Sequence, residues 1–220
     1  YLILSDMHGN AEALQAVLRR VRRKRFDVVL VLGDLVGYGA GPNQVVEAIR
    51  DLPGTVFRIR GNHDKVVAGL EDGANFNHAA LAAARWTTEH LTAANLRFVR
   101  ELPRGPLVLP EGLSICHGSP LDEDTYVFSM YEAWEIFENY AADLVFFGHT
   151  HVPSLFVRQG RRAVLTPAGR LLLEEGRALL RAAGDLECRV KCVATGLESE
   201  LRIAVEAVLA ALLAAHFTMP

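Results

Sequence analysis

Short β-branched runs alternate along the chain with longer stretches whose apolar residues return every three or four positions, the rhythm of an α/β protein. Residues 1–4 read as a strand, and residues 11–23 as a helix with Leu14, Val17, Leu18 and Val21 on one face. Residues 27–32 (DVVLVL) are apolar almost throughout, as expected of a central strand buried on both sides. A helix over 43–51 and a strand over 55–59 follow. The alanine-rich stretch 77–99 predicts one helix, with Asn77 placed to cap its start. Strands recur at 113–116 and 144–147 around a helix at 131–139, and shorter strands at 154–157 and 162–165 complete the second half.

No linker or repeat interrupts this pattern, so residues 1–220 are expected to form a single domain. Its motif-bearing core is expected over 1–175. After about Gly176 the character changes: 179–194 has no clean period, whereas 198–215 is rich in alanine and leucine. The segment 176–220 therefore reads as a peripheral helical tail.

Composition narrows the class. Half the residues are hydrophobic and 22% are charged, which excludes a disordered or collagen-like chain. The net charge of -3 argues against a protein built mainly to neutralise nucleic-acid phosphates, leaving nucleic acid as a substrate only. The basic run from Arg19 to Arg25 ends the first predicted helix, where cations complement the helix dipole, and reads as a solvated face. Three cysteines, Cys116, Cys188 and Cys192, are an odd number without zinc-knuckle spacing, so a reduced, cytoplasmic setting is expected. The longest late apolar stretch, 203–217, contains Glu206 and falls short of the ~20 residues that span a bilayer, so no membrane partner is expected.

Candidate chemistry gathers at the strand ends. Ser5-Asp6-Met7-His8-Gly9-Asn10 follows the first strand, Gly33-Asp34 the second and Gly61-Asn62-His63-Asp64 the third. Cys116-His117-Gly118 and Gly148-His149-Thr150-His151 end two more. In open α/β sheets, ligands bind at the carboxyl ends of strands, so these pieces can converge. If the segments stay extended, residues i and i+2 share a face, pairing Asp6 with His8 and His149 with His151. Carboxylate oxygen, imidazole nitrogen and amide oxygen without thiolate suit divalent manganese, iron, zinc or nickel. Cys116, one residue before His117, is expected to point into the core. His78 reads as a solvated residue at a helix start and Asp122-Glu123-Asp124 as an exposed loop that could border the site; Tyr126 and Phe128 could line a pocket there, but their alternation favours packing.

The ordered series D-x-H, G-D, G-N-H-D, H-G and G-H-x-H, from Asp6 to His151, resembles the calcineurin-like metallophosphoesterases. The resemblance implies a layered αββα sandwich, two mixed sheets flanked by helices, with a two-metal site at the carboxyl ends of the strands. It implies that Asp6, His8, Asp34 and His151 hold one ion, and that Asp34, Asn62, His117 and His149 hold the other, with Asp34 bridging. His63 then stands beside the scissile phosphate and donates a hydrogen bond or proton to the leaving oxygen, and Asp64 orients that imidazole. A metal-bridging hydroxide is implied as the nucleophile. Asn62, His63 and Tyr38 are the expected substrate contacts.

Departures narrow the resemblance. Protein phosphatases and symmetrical dinucleoside tetraphosphatases carry a phosphate-gripping arginine four residues after the bridging aspartate; here that position is Tyr38. The aspartate that protein phosphatases place just before that arginine is Gly37, and their G-N-H-E is G-N-H-D. The likeness is therefore to the small bacterial phosphodiesterase-like branch, with a phosphoester or nucleotide as substrate. A phosphomonoesterase or dinucleoside-polyphosphate hydrolase of the same fold is the alternative. A non-catalytic scaffold of the same fold would be expected to lack ligands, and all seven are present with His63. An Asn-Pro-Gly-Ser turn usually follows G-H-T-H in related bacterial proteins; the nearest match here is Thr166-Pro167-Ala168-Gly169.

Overall fold

A computed structural model describes residues 1–159, 162–165, 170–171, 174–178 and 181–182. The chain runs β1 (Leu2–Leu4), α1 (Ala11–Val21), β2 (Val28–Val31), α2 (Pro42–Arg50), β3 (Thr55–Arg58), α3 (Asn62–Val67), α4 (His78–His90) and α5 (Ala93–Glu101). It continues with β4 (Leu107–Val108), β5 (Leu113–Ile115), α6 (Met130–Asn139), β6 (Leu144–Phe146), β7 (Phe156–Gln159) and β8 (Arg162–Leu165). Two compact units divide it. The first comprises Tyr1–Val127 and Glu135–Thr150; the second takes Phe128–Trp134 and the residues from His151 onward.

The first unit is built on two three-stranded sheets. β1, β2 and β3 are parallel in that order, with Leu2 opposite Val29 and Val28 opposite Thr55. β4 is antiparallel to β5, and β5 is parallel to β6. Both sheets were expected to be mixed; the first is parallel throughout its described strands.

The apolar run through β2 serves both faces of its sheet. Val29 and Val31 join Leu14 of α1 and Val45, Val46 and Ile49 of α2 in one buried cluster. Leu30 and Leu32, one residue out of phase, join Ile59, Leu113 and Ile115 in the other. The period of two in a strand therefore sends alternate side chains to a helical layer and to the second sheet. Full burial of each such side chain contributes on the order of 1.5–3 kcal/mol.

The stretch expected as one helix is two. Asn77 caps α4 as expected, accepting from the Ala80 amide at 2.9 Å. The chain turns extended at Leu91, and Thr92 begins α5 by accepting from the Asn95 amide at 3.2 Å. Asn43 of α2 locks the break, donating to the His90 carbonyl and accepting from the Thr92 amide. The local signal was a threonine within an alanine-rich run; its partner lies far away in sequence. The short α3 and β4 had no counterpart among the predicted elements.

The second unit contains the hairpin β7–β8, with Phe156 opposite Leu165. β7 starts two residues later than the strand predicted at 154–157. Within this unit the Arg158 guanidinium lies 5.7 Å over the Trp134 ring. The turn at 166–169, the predicted helix over 198–215, Cys188, Cys192 and His216 lie outside the described residues. No helix among the described residues is long and apolar enough to cross a membrane.

Candidate metal centre

Three loops leave the parallel sheet side by side. The Asp6, His8 and Gly9 amides donate to the carbonyls of Gly33, Asp34 and Leu35 at 3.1, 2.9 and 2.8 Å. The segments are not extended, as the i, i+2 argument required. Asp6, His8, Asp34 and His149 instead take left-handed φ values of 54°, 46°, 51° and 66°. For residues with a Cβ this conformation costs on the order of 1–3 kcal/mol each, and such strain clusters at functional sites. His151, in the second unit, is left-handed as well, at 52°.

Asp34 is the hub. Its Oδ1 accepts the His63 amide at 2.9 Å, while its Oδ2 lies 3.3 Å from His117 Nε2 and 3.5 Å from His8 Nε2. Burial works against its charge, but His117 and His8 hold its carboxyl well below the usual carboxylate range. A close approach by Gly61 shapes this spot: a Cβ there would fall within 2.2 Å of Asp34 Oδ1.

The ring nitrogens of His117 and His149 are distinguished by their hydrogen bonds. His117 Nδ1 meets the Leu32 carbonyl at 2.8 Å, so Nδ1 carries the proton and Nε2 faces Asn62 Oδ1 at 3.0 Å. His149 Nε2 meets the Asp124 carbonyl at 3.1 Å, which leaves Nδ1 as its free lone pair. The His149 amide also donates to both Asp6 oxygens, at 3.1 and 3.2 Å. Such partners fix the tautomer and orientation that a metal-binding imidazole needs.

These groups fit a cation. Asn62 Oδ1, Asp34 Oδ2 and His117 Nε2 are turned towards one another; with His117 neutral all three are acceptors, which a positive charge must reconcile. A proton can serve: burial opposes the His117 imidazolium, yet Asp34 pushes it up to about 9. A divalent ion takes the place of such a proton when it binds. One ligand atom each from Asp34, His117 and His149 lie within 4.8 Å of one another, and the same holds for His8, Asp34 and His63.

His63 sits in the first turn of α3. Its ring stands 4.7 Å from those of His8 and Tyr38 and 4.5 Å from Phe76, and burial pushes its imidazole down to about 4. Its Nδ1 has no hydrogen-bond partner. Asp64 makes no hydrogen bond to that nitrogen, so any hold it has on the imidazole runs through the backbone. Its carboxylate is occupied by the backbone amides of Gly61, Leu35 and Val36, at 2.9, 2.9 and 3.2 Å. Burial and Asp34 push Asp64 up to about 7 against those donors. Its geometry pins the loop carrying Asp34 to the start of α3.

Gly37 closes over His63. With φ of 134°, it lies so near that a Cβ would meet His63 Nδ1 at 2.5 Å. Gly37→Ala is expected to displace the imidazole and lower kcat by roughly 10²-fold, the scale of a small misplacement of a reacting group. Elemental analysis should find the metal content unchanged; full activity in this variant would mean that the ring position is not critical.

Other sequence readings need adjusting. Tyr126 does not pack inside: it is 47% exposed and stacks on the His149 ring at 3.8 Å. Glu123 is not part of an exposed loop but 5% exposed, meeting Arg60, Lys65 and Arg104. Cys116 is buried as expected, its thiol pushed up to about 12 by burial. His78 is exposed at the start of α4. Phe76 and Lys65 carry no signal of a site in the sequence: Lys65 follows the G-N-H-D block at once, but only the fold brings Phe76 to His63.

Residues 1–153 match the calcineurin-like phosphoesterase family. A protein of Methanocaldococcus jannaschii is 34% identical over 189 residues, covering 84% of this chain and 74% of that protein. The crystal structure of a metallophosphoesterase from Sphaerobacter thermophilus superposes with a TM-score of 0.60 at 35% identity, covering 75% of this chain and 67% of that one. A further stretch of similarity, 47% over 53 residues, is to a probable HTH-type transcriptional regulator of Escherichia coli; it covers 24% of this chain and 18% of that protein, too little to show a family. With the family matched over more than half of the chain and its motif residues gathered in buried His/Asp clusters, this chain belongs to the calcineurin-like phosphoesterases.

Proposed function

We propose that this metallophosphoesterase is a phosphodiesterase whose centre holds two ions through Asp6, His8, Asp34, Asn62, His117, His149 and His151, with Asp34 shared between them. The observation that carries this reading is the position of Asp34 Oδ2, within 3.5 Å of both His8 Nε2 and His117 Nε2. His151 stays in the set on the resemblance alone, and a single domain over 1–220 with its motif-bearing core at 1–175 stays on the uninterrupted pattern of the sequence. The nitrogen and oxygen donors favour manganese, iron, zinc or nickel. A reduced, cytoplasmic setting is part of the same proposal.

Two divalent ions bound there supply Lewis acidity and lower the pKa of water to about 7, giving a nucleophile at neutral pH. The chain's own residues do the rest. Asn62 and His63 meet the phosphoryl group from the start of α3, and the His63 imidazole, which burial keeps neutral near pH 7, steadies the leaving oxygen through an N–H hydrogen bond. Asp64 acts as a positioning residue, holding the Asp34 loop and the α3 start in one register.

Tyr38 supports a diester over a monoester. It is 41% exposed and its ring adjoins those of His63 and His8. A monoester dianion has three unesterified oxygens, which an arginine fork would grip and a neutral phenol does not. A diester carries one charge and presents a second organic group that an aromatic face can cover. The test compares kcat/KM for bis-nitrophenyl phosphate and nitrophenyl phosphate with the same metal. Wild type is expected to favour the diester, and Tyr38→Arg to shift the ratio towards the monoester by roughly tenfold, the effect of one charge-assisted hydrogen bond. A wild-type preference for the monoester would sink the reading.

A further inference from the structure

A cleft of about 160 Å³ adjoins the centre, with Asn62 and His149 in its wall. Two aromatic rings also line it: Phe76, packed beside His63, and Tyr126, stacked on His149. The organic part of a substrate whose phosphorus lies at Asn62 therefore has an aromatic-walled space beside it.

The charge of this cleft is unusual for a site that receives phosphate. Glu71, Asp72 and Asp124 line it against one cation, Lys65. Lys65 is 2% exposed and its charge is engaged, with Nζ 2.8 Å from Glu71, 2.5 Å from Asp124 and 3.6 Å from Glu123. The neighbouring Arg60 is turned to Glu123, at 2.9 Å. Among the described residues Asp72 meets no cation at salt-bridge distance; its carboxylate accepts the nearby Ala74 amide at 2.9 Å. The cleft thus offers flat apolar faces and hydrogen-bond acceptors, with an excess of negative charge.

We infer, building on the phosphodiesterase reading, that this cleft selects the ester group of the substrate. It takes an uncharged or cationic planar ring that bears N–H donors, as a nucleoside does, and rejects a group carrying a second phosphate. Phe76 and Tyr126 cover the faces of the ring, and the carboxylates accept from its edge. A second phosphate would bring a like charge against Asp72, and among the described residues the cleft wall has no free cation to offset it. Nucleotide polyphosphates are then poor substrates for a reason separate from the metal chemistry.

The test uses two esters with one leaving group: thymidine 5′-(nitrophenyl phosphate) and the same ester carrying a 3′-phosphate. Metal-loaded wild type is expected to favour the first by about tenfold in kcat/KM, the order of one screened like-charge contact. Asp72→Lys is expected to bring the two esters within about twofold, since it turns that repulsion into attraction. Tyr126→Ala provides an independent reading, lowering the advantage of thymidine 5′-(nitrophenyl phosphate) over methyl nitrophenyl phosphate. Equal use of the two thymidine esters by wild type, or an unchanged ratio in Asp72→Lys with its thermal melting intact, overturns the inference. If wild type turns over none of the three diesters, the phosphodiesterase reading fails instead. The cleft is then judged by calorimetric titration of thymidine 5′-phosphate against thymidine 3′,5′-bisphosphate, where equal or tighter binding of the bisphosphate overturns it.

Discussion

Asp34→Asn is expected to leave the protein folded but poor in metal, with hydrolysis reduced by roughly 10³-fold or more. Asparagine keeps an oxygen that can accept the His63 amide, so the start of α3 retains its anchor. What disappears is the negative charge between His8 and His117. A unit charge pair at 4 Å in a partly screened environment is worth about 4 kcal/mol, which is about 10³-fold in affinity. Two ions sharing the carboxylate would each lose part of that attraction. The check is elemental analysis after dialysis, with bis-nitrophenyl phosphate hydrolysis followed as metal is added back. A variant that keeps two tightly bound ions at wild-type stoichiometry would show that Asp34 is not the shared ligand.

His63→Ala should separate chemistry from metal binding. The expected loss is roughly 10²–10⁴-fold in kcat with the metals retained, the usual contribution of a positioned acid or base. The loss should shrink for nitrophenyl esters, whose leaving oxygen needs little protonation. His63 shares with His8 and Asp34 a spacing that could itself hold an ion, so the outcome decides between two roles. In the ligand role the variant comes out depleted of metal, and its loss is independent of the leaving group. The buried, unpartnered Nδ1 and the close approach of Gly37 describe a ring held by packing, among Tyr38, His8 and Phe76, with no hydrogen bond to that nitrogen. Such a ring is free to exchange a hydrogen bond with substrate through its remaining nitrogen.

The donors proposed for the centre were legible before the fold was known because they lie in short blocks at strand ends. A strand needs only a run of apolar residues to be recognised, and the turn after it must carry glycine where backbones approach. Gly33, Gly61 and Gly148 mark those approaches, each so close to a neighbouring loop that a Cβ would not fit. The element types followed from periodicity in the same way, since β2 and α1 declare themselves within a few residues. The break at Leu91–Thr92 did not, because Asn43, more than forty residues away, helps to fix it. The way Asp64 is held was hidden for a related reason. Adjacency to His63 invited a direct partnership, whereas residues next to each other on a helix point apart. The carboxylate reaches Leu35 and Val36 instead.

The sequence by itself determined the α/β class, the order of the strands that carry donors, and the kinds of atoms offered to a metal. These are properties of local runs: apolar periodicity makes the elements, and the side chains that follow each strand are written next to it. Only the tertiary structure decided which nitrogen of His117 and His149 is free, because the Leu32 and Asp124 carbonyls that occupy the other nitrogen come from distant loops. It also decided the left-handed turns that aim Asp6, His8 and Asp34, and the acidic, aromatic-walled cleft made by Phe76, Asp72 and Tyr126. Those features depend on contacts between segments whose spacing along the chain carries no signal. A hydrogen bond or a charge acts over a few ångströms in space, whatever the number of residues between its partners.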